Sequence, residues 1–125
     1  IHLGHVRVLE GARKWGDLLV VGVNDDDYIR RTKGKGRPIF PEAERKEILA
    51  ALRSVDFVIG FAGENSSDLI RKIRPDAFVK GADYEARLPV EEREAAQEAG
   101  ARIVFIPLVE GHSTSQVEAK LRSEE

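Results

Sequence analysis

Apolar and polar positions alternate along this chain in two rhythms, one helical and one extended. From His2 to about Trp15, Val6, Leu9 and Ala12 recur at helical spacing, with Val8 beside Leu9, and Gly16-Asp17 closes the segment. Leu18 to Val23 is a short unbroken apolar run rich in β-branched residues, the pattern of a strand buried on both faces. Asn24 to Pro38 is polar and basic and reads as a loop. Pro41 opens a helix with acidic residues in its first turn, PEAERKEILAAL. VDFVIGF gives a second strand. SSDLIRKI gives a short helix capped by Ser66 or Ser67, and DAFVKG a third strand. Pro89 starts PVEEREAAQEAG, closed by Gly100. ARIVFIPL is the fourth strand, and STSQVEAKLR, after Gly111, the last helix; Ser123 to Glu125 read as a loose tail.

Strands therefore alternate with helices throughout. This order predicts an α/β fold: an open parallel sheet of Rossmann-like type with helices on both faces and right-handed crossovers. Ligands of such sheets bind outside the carboxyl ends of the strands. The first element is a helix, whereas a domain of this kind is expected to enter that helix from a strand. Neither an internal repeat nor a linker divides residues 1–125, which read as a single domain.

Composition narrows the class. The 125 residues carry 20 basic and 22 acidic side chains, a formal charge of -2, which gives no prior for a nucleic-acid surface. With no cysteine, disulfides and thiolate metal sites are excluded. No apolar run reaches membrane-spanning length and no signal peptide is seen, so the expectation is a cytoplasmic protein without membrane contact.

The candidate chemistry lies in short motifs at the expected strand ends. His2-Leu3-Gly4-His5 stands at a helix N-terminus, where free N–H groups and the helix dipole favour anions. Two imidazoles there can donate to phosphoryl oxygens, and Gly4 allows close approach to the backbone. The plainer reading is a pair of surface histidines; a metal site is poorly supported, since the third histidine is far away. Arg30 to Pro38 places five cations in nine residues. This is either a solvated basic loop or a flexible lid over polyphosphate, and it matches neither GxGxxG nor Walker patterns. Val79-Lys80-Gly81-Ala82-Asp83-Tyr84 is a strand end with a surface Lys–Asp pair in its plain reading. Glu110-Gly111-His112-Ser113-Thr114-Ser115 is a helix cap or, with its backbone N–H groups, an anion site. All four motifs are expected on one side of the sheet.

Taken together and in order, these residues resemble the HxGH nucleotidyltransferase superfamily. HLGHVRVLEGARKWGDLLVVGVNDD, KGKGRPIFP with Arg45 after it, LRSVDFVIGF, IRPDAFVKGADY and VEGHSTS are more closely similar to the heptose 1-phosphate adenylyltransferase family. Members make ADP-heptose for bacterial cell-surface glycans, often fused to a sugar kinase. Here Ala82 stands where a second glycine is common, and His112 and Ser115 occupy variable or usually threonine positions. In the family a strand and a short turn ending in Phe-Asp precede HxGH. Residues 1–125 start after them, so this central strand is expected to be absent from the sequence in hand.

The resemblance implies in-line attack of a sugar 1-phosphate, such as D-glycero-D-manno-heptose 1-phosphate, on the α-phosphorus of ATP, giving ADP-sugar and pyrophosphate. No covalent intermediate is needed, and catalysis is positioning plus charge stabilisation. It implies phosphate contacts from His2 and His5, with Lys33 closing over them as catalytic groups. Gly4, Asn24, Arg37, Gly111, Ser113 and Thr114 would bind nucleotide; Lys80 and Asp83 would frame the acceptor sugar phosphate or the nucleoside. No metal ligand is assigned, and Mg²⁺ would come with ATP. A homodimer and a separate or fused sugar kinase are the partners expected. The alternatives are a cytidylyltransferase acting on a polyol or amino-alcohol phosphate, and a non-catalytic nucleotide sensor.

Overall fold

A computed structural model describes residues 3–33 and 41–107. The chain runs through α1 (Leu3–Arg13), β1 (Val20–Asn24), α2 (Asp26–Lys33), α3 (Glu42–Ala50), β2 (Phe57–Phe61), α4 (Ser67–Ile73), β3 (Ala77–Gly81), a 3-10 turn (Ala82–Tyr84), α5 (Val90–Ala99) and β4 (Arg102–Ile106). The alternation read from the sequence is observed, and the strands lie within a few residues of their expected bounds. The last helix, expected from Ser113, lies outside the described residues.

One segment departs from expectation. Asn24 to Pro38 was expected to be loop, but Asp26–Lys33 is helical. Its sequence suits a short helix: Asp26 and Asp27 sit in the first turn, where the dipole favours acid, and Arg30 pairs with Asp27 one turn away at 2.8 Å. Arg30 to Lys33 therefore belong to helix backbone, whereas residues 34–38, Arg37 among them, lie outside the described residues.

The strands pair in two parallel ladders. Val20↔Phe57 through Asn24↔Phe61 join β1 to β2, and Ala77↔Arg102 through Gly81↔Ile106 join β3 to β4. Among the described residues these are two separate two-stranded sheets, not one continuous sheet. Helices cover both faces: α4 lies against α5, α3 against β1 and β2, and α1 against β3 and β4. The buried apolar set is small, with Ala12, Val23, Ile70, Ala95, Ala96 and Val104 among its members. Ala95 and Ala96 are fully buried because α5 meets α4 through its small residues.

The Leu18–Val23 run was expected to be covered on both faces, yet only Val23 of β1 is buried. Leu18 is 65% exposed and Trp15, just before it, 43%. The reason is a cavity of about 570 Å³ between the two ladders, lined by β1 on one side and β3 on the other.

Helix ends follow local chemistry. Pro41 lacks an N–H and makes no side-chain cap, so the first turn of α3 is capped from elsewhere: Glu42 N–H donates to Asp26 Oδ1 at 2.7 Å. Gly100 ends α5 in the left-handed conformation, φ 72°, which glycine adopts without a Cβ clash.

Candidate active site at the carboxyl edge of the strands

Where α1 begins decides where its histidine lies. Near its C-terminal end, the Trp15 ring sits 5.5 Å from the guanidinium of Arg102, at the start of β4. One turn earlier in the helix, a Cβ on Gly11 would meet the side chain of Ile106, at the end of β4. The helix thus climbs against the strand direction, and its N-terminus lies beyond the strands' carboxyl ends. Gly4 is buried there and His5 is exposed. A helix start at this edge presents N–H groups and the positive end of the dipole to the ligand side of the sheet. His2 lies outside the described residues.

Asn24 and Lys80 end β1 and β3, and both line the cavity between the ladders. The Asn24 carbonyl accepts from Arg45 Nη2 at 2.9 Å, and the same nitrogen donates to Asp26 Oδ1 at 2.9 Å. Arg45 therefore ties the end of β1, the start of α2 and the first turn of α3 together. Its side chain is only 16% exposed, so this ion pair is less screened than a surface one. Arg45 was not among the sequence-derived site residues. Its signal was only its place after the KGKGRPIFP motif, since nothing in a helical arginine says that it will reach back to a strand end.

Lys80 lies with its Nζ 4.1 Å from the centre of the Tyr84 ring, and the Arg87 guanidinium stands 4.5 Å from the same ring. Cation–π contact holds both cations on the face of the 3-10 turn. Asp83, expected to frame an acceptor, instead accepts from Arg87 Nη2 at 3.0 Å. The Lys80–Asp83 surface pair expected from the sequence is thus replaced by Lys80–Tyr84 and Asp83–Arg87. The two residues share an edge with Asn24 and the start of α1, but each is engaged by its own neighbour.

Lys33 ends α2, and of its side chain nothing is described. Gly111, Ser113 and Thr114 lie outside the described residues. Among the described residues no cluster of His, Asp or Glu could hold a metal ion, and no helix is long and apolar enough to cross a membrane.

A second polar pair was not read from the sequence. Glu92, in the first turn of α5, is 3% exposed. Its Oε2 accepts from the Ser66 hydroxyl at 2.6 Å and from the Ser66 N–H at 2.9 Å. The expectation that a serine caps α4 needs correction in this respect. Ser66 occupies the N-cap position but its hydroxyl goes to Glu92, while the Ser67 N–H is satisfied by Asn65 Oδ1 at 3.0 Å. In sequence, Glu92 is one acid among several in an acidic helix start, so its burial is invisible there.

The parallel α/β fold is of nucleotidyltransferase, Rossmann-like type. Residues 1–120 match the family model described as cytidylyltransferase-like, and the chain belongs to that family. The bifunctional protein HldE of Acidiphilium cryptum is 47% identical over 98% of this chain, and that of Methylococcus capsulatus 44% over 98%. The chain spans about a quarter of the length of these relatives: 25% and 26%. A lipopolysaccharide core biosynthesis protein from Thermoplasma volcanium has a similar solved structure, with TM-score 0.68, 26% identity and 87% of each chain covered.

Proposed function

We propose that the chain transfers AMP from ATP to a sugar 1-phosphate, with a heptose 1-phosphate as the favoured acceptor, releasing pyrophosphate. The observation that carries this reading is the start of α1 at the carboxyl edge of the strands. It brings Gly4 and His5 to the same edge as Asn24 and Lys80. The relatives named HldE and the lipopolysaccharide core biosynthesis protein support a sugar-directed reaction.

In this reading His2 and His5 donate to the α- and β-phosphates of ATP, aided by the helix dipole. Their contribution grows as charge accumulates on the equatorial oxygens, so it acts on the transition state more than on binding. Lys33 and Arg37 neutralise the polyphosphate, and Gly111, Ser113 and Thr114 hold its far end. Lys80, kept at the edge by the Tyr84 ring, meets the acceptor phosphate, and Asp83 meets its hydroxyls. Asp26 and Asp83 are each paired with an arginine. That suits a Mg²⁺ ion brought in by the nucleotide and held mainly by phosphate oxygens. The ion would supply charge neutralisation of the leaving pyrophosphate. A sugar kinase, fused or separate, would supply the 1-phosphate.

The cytidylyltransferase-like description of the family keeps a second reading in view, with CTP as donor and a polyol or amino-alcohol phosphate as acceptor. Pyrophosphate release separates these readings. ATP, CTP, GTP and UTP are each assayed with heptose 1-phosphate and with glycerol 3-phosphate. Release with ATP and the heptose supports the adenylyl reading, and release with CTP and glycerol phosphate replaces it. Binding of ATP without any release identifies a sensor.

A further inference from the structure

The turn that follows β3 gathers two cations and a carboxylate around one aromatic ring. Backbone N–H groups of Glu85 and Arg87 donate to the carbonyls of Ala82 and Tyr84, each at 3.1 Å, and wind the chain tightly. That winding brings Arg87 back to Asp83, four residues earlier, and sets both Lys80 and Arg87 over the Tyr84 ring. The two cations are engaged differently. Arg87 donates through Nη2 to Asp83 Oδ2 at 3.0 Å and through Nε to the Asp83 carbonyl at 3.2 Å, so its planar fork is committed to one residue. Lys80 has the ring alone: among the described residues no carboxylate lies within ion-pair distance of it. A π face offsets part of the charge of an ammonium while leaving it donors for a further acceptor.

This division is not dictated by spacing. Asp83 stands three residues after Lys80 and four before Arg87, so either cation is near enough in sequence to take it. A Lys80–Asp83 pair would neutralise the ammonium, and an incoming anion would then have to displace a carboxylate. The observed pairing avoids that competition, because the carboxylate goes to the cation with the fork and the lysine is left on the ring.

We propose that Arg87 is a positioning residue for anion recognition: by holding Asp83 it keeps that carboxylate off Lys80 and leaves the ammonium open to a phosphate monoester. This rests on the reading of Lys80 as the cation that meets the acceptor phosphate, and adds the residue that keeps the lysine available. Arg87 itself touches no substrate. Its side-chain bond to Asp83 uses Oδ2, so Oδ1 stays open to a hydroxyl of the same acceptor.

The test titrates the protein with inorganic phosphate and follows the ε-carbon signal of Lys80 by NMR, assigned through Lys80→Gln, so that the readout is local to this turn. The expected result is a saturable shift in the unmutated protein and an affinity about threefold to fivefold weaker in Arg87→Ala, the scale of one exposed charge pair. The Arg87 side chain is 63% exposed, so its truncation leaves the fold intact. Asp83→Asn should restore affinity in the Arg87→Ala background and change it much less alone, because there the carboxylate is already held. A merely structural role for Arg87 gives no such rescue. Unchanged affinity in Arg87→Ala overturns the proposal. So does a double variant as weak as Arg87→Ala, which would make Arg87 a direct phosphate ligand. Equal effects of Asp83→Asn in both backgrounds overturn it as well, since they report a general field and not a guarded lysine. A Lys80 signal that ignores phosphate in the unmutated protein instead overturns the underlying reading of Lys80, and the role of Arg87 falls with it.

Discussion

Ser66 gives both of its donors, hydroxyl and backbone N–H, to a single oxygen of Glu92, at 2.6 and 2.9 Å. This joins the start of α4 to the start of α5 at the edge where ligands of parallel sheets bind. Hydrogen bonds to a charged acceptor contribute about 1.5–3 kcal/mol, but Ser66→Ala leaves the backbone donor in place. The variant should lose about 1–2 kcal/mol in urea unfolding with an unchanged m-value. A loss below about 0.5 kcal/mol would mean that the N–H alone satisfies Oε2.

Arg45 clamps three elements through Asn24 and Asp26. Arg45→Ala should cost about 1–2 kcal/mol, because it leaves the partly buried Asp26 carboxylate with less compensation. Arg45→Lys should recover only part of this, since an ammonium lacks the planar fork. Hydrogen exchange should accelerate first at Glu42, whose N–H depends on the position of Asp26.

Two glycines should behave differently on substitution by alanine. At Gly60 a new Cβ meets the tip of the Lys46 side chain, at 2.7 Å, and Glu42 Oε2 at 3.0 Å. The lysine can swing away at the cost of an ion pair with Glu42, so stability should change by less than about 0.5 kcal/mol. Gly100 has open space around it but sits at φ 72°. Gly100→Ala should therefore destabilise by about 1–2 kcal/mol through backbone strain alone. Thermal melts of the two variants decide between crowding and conformation as the stronger constraint.

The Arg71 guanidinium donates to Glu98 at 2.8 Å, tying α4 to α5. That hydrogen bond and the charge of Arg71 hold the Glu98 carboxyl below its ordinary range, and Glu98 in turn raises Arg71. A carboxylate depressed in the folded state stabilises the fold above its unfolded pKa, and the contribution disappears as pH falls through the folded value. The raised Arg71 contributes below its own ordinary range and so does not titrate in the same window. Glu98→Gln should therefore flatten the acid limb of the stability profile below the usual carboxylate range and leave the neutral limb unshaped. Both groups are exposed, so added salt should shrink the difference.

For the proposed reaction, His5→Ala should lower turnover about 10²–10³-fold while changing ATP affinity little, as expected for a donor to developing phosphoryl charge. A packing role gives the opposite result: a lowered melting temperature with activity per folded molecule preserved. Steady-state kinetics and equilibrium ATP binding on the same preparation separate the two.

The sequence by itself determined the alternation of elements, because buried parallel strands and amphipathic helices leave different apolar periods. Leu18–Val23 and Ala77–Gly81 could be read without any structure. Helix ends at Pro41, Pro89 and Gly100 were legible for the same reason, since proline and glycine constrain the backbone locally. The motif His2-Leu3-Gly4-His5 could be placed at a helix start, and together with the later segments such as IRPDAFVKGADY and VEGHSTS it carried the family resemblance. Contacts between distant residues could not. Asp26 reaches Glu42 and Arg45 only because α2 is helical, and acidic first-turn residues beside a basic run look like loop when read locally. Glu92 is one of several acids until α5 closes on α4 and buries that one alone. The tertiary structure also decided that, among the described residues, β1 and β3 line a common cavity, since strand order depends on crossovers and packing that no local pattern encodes.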